Sequence, residues 1–185
     1  MTIYIALLRG INVGGKNIIK MVDLKRSFET IGLASVQTYI QSGNVLFKSN
    51  EEEEPLRNKI ERKIEAVFEF SVTVVLRKAA EIEWIIDHCP FSIEEVADAE
   101  ASSKVESLYV SLLTHIPSQE KIKLLDAYTS ESDKYRLEGR EVFLLFHNSV
   151  RNSKLASNLK KLDVPGTVRN FKTLNKLNEL AKALC

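Results

Sequence analysis

The sequence predicts an α+β fold built from two ferredoxin-like halves, with antiparallel sheets and helices packed on one face of each sheet. Three observations support this prediction. Short runs rich in β-branched residues alternate with amphipathic segments in the order β-α-β-β-α-β, and that order occurs twice. The chain has 185 residues, enough for two halves of about 80 residues each. No residue-level repeat is visible, so the duplication is predicted from element order alone.

The first half is predicted to span residues 1–78. Its opening strand, IYIALL at 3–8, is short, apolar and β-branched, as buried strands are. A helix follows, because apolar residues recur at helical spacing from Met21 to Ile31. Two further strands flank residues 41–44, which have the composition of a hairpin turn. The predicted strands lie at 3–8, 35–40, 45–48 and 71–76, and the predicted helices at 21–31 and 55–68.

Residues 79–104 are predicted to connect the halves, as a helix followed by an acidic, Ala- and Ser-rich surface linker. The second half then spans residues 105–185 and closes with a C-terminal helix. Gly139 and Arg140 lie between two strand-like runs and indicate a hairpin. The predicted strands lie at 105–113, 134–138, 141–146 and 167–169, and the predicted helices at 117–128, 153–162 and 171–184.

Composition narrows the class of protein. Hydrophobic residues make up 44% of the chain and charged residues 28%, which is ordinary for a globular protein. No apolar stretch approaches the roughly 20 residues of a membrane-spanning helix, and the N-terminus lacks the pattern of a signal peptide. Cys89 and Cys185 are not expected to form a disulfide, and no Cys/His spacing fits a metal. We therefore expect a cytoplasmic protein with no membrane association and no metal site.

The net charge of +1 hides a segregated charge distribution. Residues 1–48 carry six Lys/Arg and two Asp/Glu, and residues 150–185 carry eight and two. Residues 49–149 carry twelve Lys/Arg and twenty-one Asp/Glu. If the two basic ends meet in space, they form a concave surface that attracts anions; otherwise they are only solvated surface charges.

The loop after the first strand is close to a phosphate-binding loop. Residues 10–17 read GINVGGKN, near the pattern G-x-x-x-x-G-K-[ST], in which glycine N–H groups converge on phosphate and Lys adds a cation. Asn17 stands where the pattern needs a magnesium-binding hydroxyl, and the following helix is delayed. These differences argue against a nucleotide triphosphatase. Two alternatives stay open: a looser anion-binding loop, or a tight turn with solvated Arg9 and Lys16.

Two further segments offer polar groups to the same ligand. The turn at 41–44 carries two amides and a hydroxyl, which are also ordinary turn residues. Asn152 or Ser153 suits the N-cap of the helix at 153–162, and Asn170 suits the N-cap of the last helix. Helix N-termini also attract anions, and the nearby cations are Lys154, Arg169, Lys172 and Lys176. No residue stands out as catalytic. The candidate ligand-binding residues are Arg9, Asn12, Gly14, Gly15, Lys16, Gln41, Ser42, Gly43, Asn44, Ser153, Lys154, Arg169 and Asn170.

Several segments together resemble one family. The motifs ALLRGINVGGKN, TYIQSGNVLF, SKL at 153–155 and RNFKTLNKL at 169–177 are similar to those of the domain-of-unknown-function 1697 family of bacterial proteins. The resemblance covers nearly the whole chain and implies an α+β fold with ferredoxin-like parts, but no activity. The chain departs from the family at Phe171, where Trp is usual. It also departs in the loop 148–152, which usually carries glycine, and this argues against a glycine-dependent ligand cradle there.

Three functions are compatible with these residues. The leading hypothesis is a protein that binds a phosphate-bearing ligand, such as a nucleotide or nucleic acid, in a cleft lined by the Gly/Asn loops. The alternatives are an enzyme that acts on a small phosphorylated or acidic metabolite, and a structural or dimerisation module with no ligand. The enzyme requires a titratable group beside the loops, whereas the module requires Arg9 and Arg169 buried in internal hydrogen bonds. No cofactor is expected, and the sequence leaves the oligomeric state open.

Overall fold

The computed structural model describes residues 1–185 and contains two four-stranded antiparallel sheets. It confirms the predicted α+β fold with two ferredoxin-like halves. The first half consists of β1 (Thr2–Leu8), α1 (Met21–Thr30), β2 (Ala34–Tyr39), β3 (Asn44–Ser49), α2 (Glu53–Phe68) and β4 (Val74–Lys78). The helices α3 (Ala79–Asp87) and α4 (Ile93–Ser102) follow. The second half consists of β5 (Leu108–Leu113), α5 (Gln119–Lys123), β6 (Asp133–Glu138), β7 (Glu141–Phe146), α6 (Lys154–Asn158), β8 (Gly166–Asn170) and α7 (Phe171–Ala183).

The chain divides into two compact units. Unit 1 comprises Met1–Trp84 and Leu174–Cys185, and unit 2 comprises Ile85–Thr173. The predicted domain boundaries after residues 78 and 104 stay a prediction. None of the helices combines the length and the apolar character that crossing a membrane requires.

In unit 1 the strand order is β2-β3-β1-β4, and α1 and α2 cover one face of the sheet. Side chains alternate along a strand, so Tyr4 and Phe47 lie on the same face as this helical layer. The Phe47 ring stacks on Tyr4 at 5.9 Å and meets the edge of Phe28 from α1 at 5.6 Å, measured between ring centroids. From α2, Leu56, Ile60 and Ile64 are fully buried at helical spacing.

In unit 2 the strand order is β6-β7-β5-β8. Every residue of β7 is buried, as expected of a central strand with both faces covered. The edge strand β6 is half-buried over most of its length. The core on one face joins strand residues such as Leu144 and Phe146 to Leu125 and to Leu155 of α6.

The pairing register reveals a residue-level correspondence between the halves. It aligns IYIALL at 3–8 with LYVSLL at 108–113, a similarity that the sequence reasoning missed. In the same alignment Arg77 of β4 is equivalent to Arg169 of β8, because each is paired with the residue that follows the strand tyrosine. The equivalent pairs are Tyr4–Phe47 and Tyr109–Leu144 beside the third strand of each half, and Tyr4–Lys78 and Tyr109–Asn170 beside the fourth.

Three segments differ from the predicted elements. The segment 90–104, predicted as a surface linker, contains α4, whose capping box joins Ser92 and Glu95. The predicted helix 117–128 is α5 followed by a 3-10 turn at Asp126–Tyr128. The predicted helix 153–162 is α6 followed by a 3-10 turn at Leu159–Leu162. In the last two cases apolar spacing correctly identified the buried face, but it does not distinguish a continuous α-helix from one that tightens into a 3-10 turn.

Candidate anion-binding loop

The cationic loop, residues 9–20, connects β1 to α1. Two buried side chains hold its base: Ile11 is 1% exposed and Ile19 is 2% exposed, and both belong to the core of unit 1. Residues 13–18 between them are all exposed. The loop therefore has a base anchored in the core and a tip in solvent.

Asn12 joins the cationic loop to the β2–β3 hairpin. Its Nδ2 donates to the carbonyl oxygens of Ile19 and Gln41, at 3.0 and 2.9 Å. Its Oδ1 accepts a hydrogen bond from the Ile19 N–H at 2.8 Å. The backbone of Asn12 has a φ of 54°, a left-handed conformation that Asn tolerates better than most residues. These three hydrogen bonds within the protein are a sufficient structural reason for Asn at position 12.

The tip of the loop is a tight turn and differs from a phosphate-binding loop. Val13 and Lys16 pair across it, and the Lys16 N–H donates to the Val13 carbonyl oxygen at 3.1 Å. Gly14 and Gly15 have φ values of 59° and 73°, the signs that both central residues of a type I′ turn require. A phosphate-binding loop leads directly into its helix, whereas α1 begins only at Met21. The N–H groups of Gly14 and Gly15 make no hydrogen bond within the chain.

The cationic loop carries three cations without ion-pair partners: Lys16 at the tip, and Arg9 and Lys20 outside the two buried isoleucines. Arg9, Lys16 and Lys20 are exposed, and no carboxylate lies within ion-pair distance of any of them. Val13 and Ile18 are also solvent-facing, at 65% and 68% exposure. The loop therefore presents both unpaired positive charge and apolar side chains to solvent.

The hairpin turn next to the loop uses its polar groups internally. Asn44 is fully buried, and its Nδ2 donates to Ser42 Oγ at 2.9 Å and to a backbone carbonyl at the end of β2 at 3.1 Å. The Gly43 carbonyl oxygen accepts from the last backbone N–H of β1 at 2.8 Å. Gln41 is exposed, and its carbonyl oxygen is the acceptor for Asn12. The structure therefore brings the first nine candidate residues into one region of unit 1.

Two of the C-terminal candidates cap helices: of the alternatives Asn152 and Ser153 it is Ser153 that caps α6, and Asn170 caps α7 as predicted. Ser153 Oγ accepts from the Ala156 N–H at 3.1 Å at the start of α6, and it donates to Asp133 Oδ2 at 2.6 Å. Asn170 Oδ1 accepts from the Thr173 N–H at 2.7 Å at the start of α7. These contacts give both residues a sufficient structural role within unit 2.

The other two C-terminal candidates differ in exposure. Lys154 is exposed, whereas Arg169 is only 8% exposed. The Arg169 guanidinium donates to Thr167 Oγ1 at 2.8 Å and to the Val168 carbonyl oxygen at 3.0 Å. Burial lowers the pKa of Arg169 to about 10, which still leaves it protonated at neutral pH.

Comparison with known proteins gives a family and a fold. Residues 1–143 match the family described as "Protein of unknown function (DUF1697)". The chain belongs to this family. A solved structure of the conserved bacterial protein SP0830 from Streptococcus pneumoniae matches with a TM-score of 0.75 and 24% identity, over 97% of this chain and 98% of that one. That match supports the fold. No curated protein matches the chain significantly.

In this DUF1697 chain the sequence reasoning missed several charged residues. Lys20 belongs to the cationic loop, but it was not singled out because it follows the glycine motif. Arg77 was missed because a buried arginine within an apolar strand has no sequence signal of its own. The register that equates it with Arg169 is the signal that finds it. No group of three or more His, Cys, Asp or Glu side chains is arranged to hold a metal ion.

Proposed function

We propose that the protein binds a phosphate-bearing ligand, such as a nucleotide or nucleic acid, through the cationic loop. The observation that carries the proposal is the contrast between the base and the tip of this loop. At the base, the Asn12 amide is fully used in hydrogen bonds and two isoleucines are buried. At the tip, the Lys16 side chain and the N–H groups of Gly14 and Gly15 have no partner within the chain, and the side chains of Arg9 and Lys20, which flank the base, form no ion pair.

These uncommitted groups suit phosphate. Phosphate oxygens accept hydrogen bonds from Arg, Lys and backbone N–H groups, and such charge-assisted bonds are about twice as strong as neutral ones. The fixed base lowers the conformational entropy that the loop loses when a ligand binds. Arg9, Lys16 and Lys20 supply the positive charge, and Gly14 and Gly15 supply N–H donors that no acceptor within the chain occupies.

Binding is favoured over catalysis by what the loop contains. Residues 9–20 include no carboxylate, His or Cys, the groups that most often act as general bases at neutral pH. The hydroxyl of Ser42 lies 2.9 Å from an amide of Asn44 rather than from a base that could activate it. The structural-module alternative predicted that Arg9 and Arg169 are both buried, and the exposure of Arg9 counts against it.

Binding of pyrophosphate, a nucleoside triphosphate and a short single-stranded oligonucleotide, measured by calorimetry, tests the proposal. We expect the double variant Arg9→Ala/Lys16→Ala to weaken binding of these probes by about tenfold or more, because each charge-assisted bond that it removes contributes about 1.5–3 kcal/mol. Affinity should also fall between about 50 and 200 mM salt.

The matched control is Lys123→Ala/Lys160→Ala, which removes two exposed cations of unit 2 that have no ion-pair partner. Equal effects of the two double variants, or an affinity indifferent to salt, would show that the cationic loop is not the site.

A further inference from the structure

Unit 1 carries a second concave surface, between α1 and α2, that the proposed function does not use. We call it the α1–α2 groove. It consists of two concavities of about 630 and 480 Å³ that share Lys63 in their walls. One is lined by Arg62 and by Ile31 beyond the end of α1, and the other by Arg26 and Asp23 near its beginning. The groove therefore follows α1 along its length.

The groove carries uncompensated positive charge. Arg26, Arg62 and Lys63 have no ion-pair partner, and Lys59 is paired with Glu51 at 2.6 Å. Two acids, Asp23 and Glu54, also line the groove, so cations outnumber carboxylates in its walls. Apolar surface lies between the charges, from Pro55 in one concavity and from Val67 and Phe68 in the other. An occupant must therefore combine negative charge with apolar faces.

The groove and the cationic loop are joined by α1. Lys20, in the cationic loop, directly precedes α1, and Arg26, in the wall of the groove, lies on α1. A ten-residue helix is about 15 Å long, so cations are distributed from the loop tip, past Lys20, to the far end of α1. A mononucleotide carries its phosphates in one compact group and reaches only one end of this distribution. A chain of phosphodiesters reaches all of it.

We infer that the ligand of unit 1 is single-stranded nucleic acid, whose backbone contacts the cationic loop at one end and the α1–α2 groove at the other. This inference rests on the proposed function. A single strand fits the groove better than a duplex does. Packed helices have axes about 8–10 Å apart, so the depression between them has room for one backbone. The two backbones of a duplex are about 12 Å apart across the major groove, so they cannot both lie in it.

In this inference the groove binds the sugar-phosphate backbone of the strand and does not distinguish its base sequence. Sequence-tolerant single-strand sites combine a positively charged groove with apolar surface against which sugars and bases lie. The α1–α2 groove has this composition, with Val67 45% exposed and Phe68 half-buried. The Ser27 and Thr30 hydroxyls in its walls donate to backbone carbonyl oxygens of α1 at 2.8 and 2.9 Å, and Asn58 is the only carboxamide there. We therefore expect similar affinity for homopolymers of different base.

The test compares labelled single strands of increasing length, up to about 12 nucleotides, with a mononucleotide, a duplex and poly-glutamate, by fluorescence anisotropy. We expect affinity to rise with strand length and to exceed that for the mononucleotide, the duplex and poly-glutamate. We expect the triple variant Arg26→Gln/Arg62→Gln/Lys63→Gln to weaken binding of the longest strand by about tenfold or more. The salt dependence of its binding should become shallower, by about 0.7 in log–log slope for each phosphate that it no longer neutralises.

Two controls separate the outcomes. The variant Lys104→Gln/Lys123→Gln/Lys160→Gln removes the same charge from exposed, unpaired lysines of unit 2 and should leave strand binding within about twofold. Mononucleotide binding should be unchanged by the groove variant. The inference is overturned if a strand binds no tighter than the mononucleotide, or if the two triple variants bind the strand with equal affinity. In both cases the cationic loop stands as a phosphate site. Tighter binding of duplex or poly-glutamate also overturns the inference. If Arg9→Ala/Lys16→Ala leaves binding of the mononucleotide and of the strand unchanged, the proposed function is overturned, and this inference with it.

Discussion

Gly43 occupies a position where no other residue fits. Its φ is 81°, and a Cβ added there would lie 2.7 Å from Ile11 Cδ1 and 2.8 Å from Leu8 Cβ. The left-handed backbone costs a non-glycine residue about 1–2 kcal/mol, and overpacking the core adds about 1–3 kcal/mol. We therefore expect Gly43→Ala to lower the free energy of unfolding by about 2–5 kcal/mol, measured by urea denaturation.

The control for Gly43→Ala is Gly10→Ala. Gly10 has a similar φ of 69°, but nothing lies within 4 Å of an added Cβ. This variant should lose only the backbone contribution, about 1–2 kcal/mol. If both variants lose the same free energy, the contact with Ile11 is not what requires glycine at position 43.

A similar pair of variants separates the stabilisation from the Asn12 side-chain hydrogen bonds from the strain of its left-handed backbone. Asn12→Gly keeps a positive φ accessible and removes the three side-chain hydrogen bonds that join the loop to Ile19 and Gln41. We expect a loss of about 1–3 kcal/mol in unfolding free energy and faster hydrogen exchange at the Ile19 amide. Asn17→Gly, at a φ of 49° and with one 3.2 Å bond, should cost less than about 1 kcal/mol. An unchanged exchange rate in Asn12→Gly would mean that the buried isoleucines alone hold the loop.

At the scale of elements, α4 is held to the edge strand β6 chiefly by Arg136, while Lys134 of β6 lies 3.8 Å from Glu95 Oε1 as a second, longer ion pair. Arg136 of β6 donates Nη2 to Glu95 Oε1 at 2.8 Å and Nη1 to Glu95 Oε2 at 3.0 Å, and its guanidinium lies 4.5 Å above the Phe91 ring. Glu95 also accepts from the Ser92 N–H at 2.9 Å in the capping box. The hydrogen bonds from Arg136, then that from Ser92, lower the pKa of Glu95.

This pairing predicts an acid-sensitive contribution to stability. A carboxyl with a lowered folded pKa stabilises the protein fully above its unfolded pKa, about 4.3 for Glu. That contribution is lost as pH falls through the folded pKa. We expect the thermal midpoint of the wild type to fall, relative to that of Glu95→Gln, on acidification from about pH 6 to about pH 3. The variant lacks this contribution at every pH. Glu100→Gln, in the same helix without an arginine partner, should follow the wild type. A Glu95→Gln profile parallel to that of the wild type would contradict the assignment.

These elements also show what the sequence could predict. Short apolar runs identified β1 and β7, and apolar spacing identified the buried stripe of α2, because packing against a core dictates those residues directly. It missed α4, whose buried face is small, with Ala99 fully buried among mostly polar neighbours. The charged pair Glu95–Arg136 is separated by 41 residues, and such pairing leaves no local pattern. The correspondence of Arg77 with Arg169 likewise required the pairing register.

The site residues divide in the same way. Glycines in the cationic loop were recognisable, since a turn with positive φ restricts the residue types that fit. Whether an amide faces a ligand or a backbone carbonyl is a matter of tertiary structure. Asn12 and Asn44 were therefore proposed as ligand groups, although internal hydrogen bonds already account for both. The exposed cations keep the candidate role, because nothing within the chain neutralises them.

At the scale of the whole molecule, the two units should respond differently to a phosphate-bearing ligand. The proposed contacts lie in unit 1, in the cationic loop and along α1 and α2. Four of the sequence candidates, including Ser153 and Arg169, lie in unit 2. Hydrogen exchange followed by mass spectrometry, with and without a saturating single-stranded oligonucleotide, can distinguish these regions. We expect slower exchange over residues 10–30, which span the loop and α1, because bound ligand suppresses local opening.

The same measurement decides the role of the C-terminal candidates. We expect exchange over residues 153–170 of unit 2 to stay unchanged, because the cap contacts and the buried Arg169 already account for these side chains. The variant Arg9→Ala/Lys16→Ala serves as the control and should remove the protection in unit 1 at the same oligonucleotide concentration. Protection over 153–170 that disappears in this variant would instead assign Ser153, Lys154 and Asn170 to the ligand site. Protection there that persists in the variant would indicate a separate anion site at the basic C-terminal end of the chain.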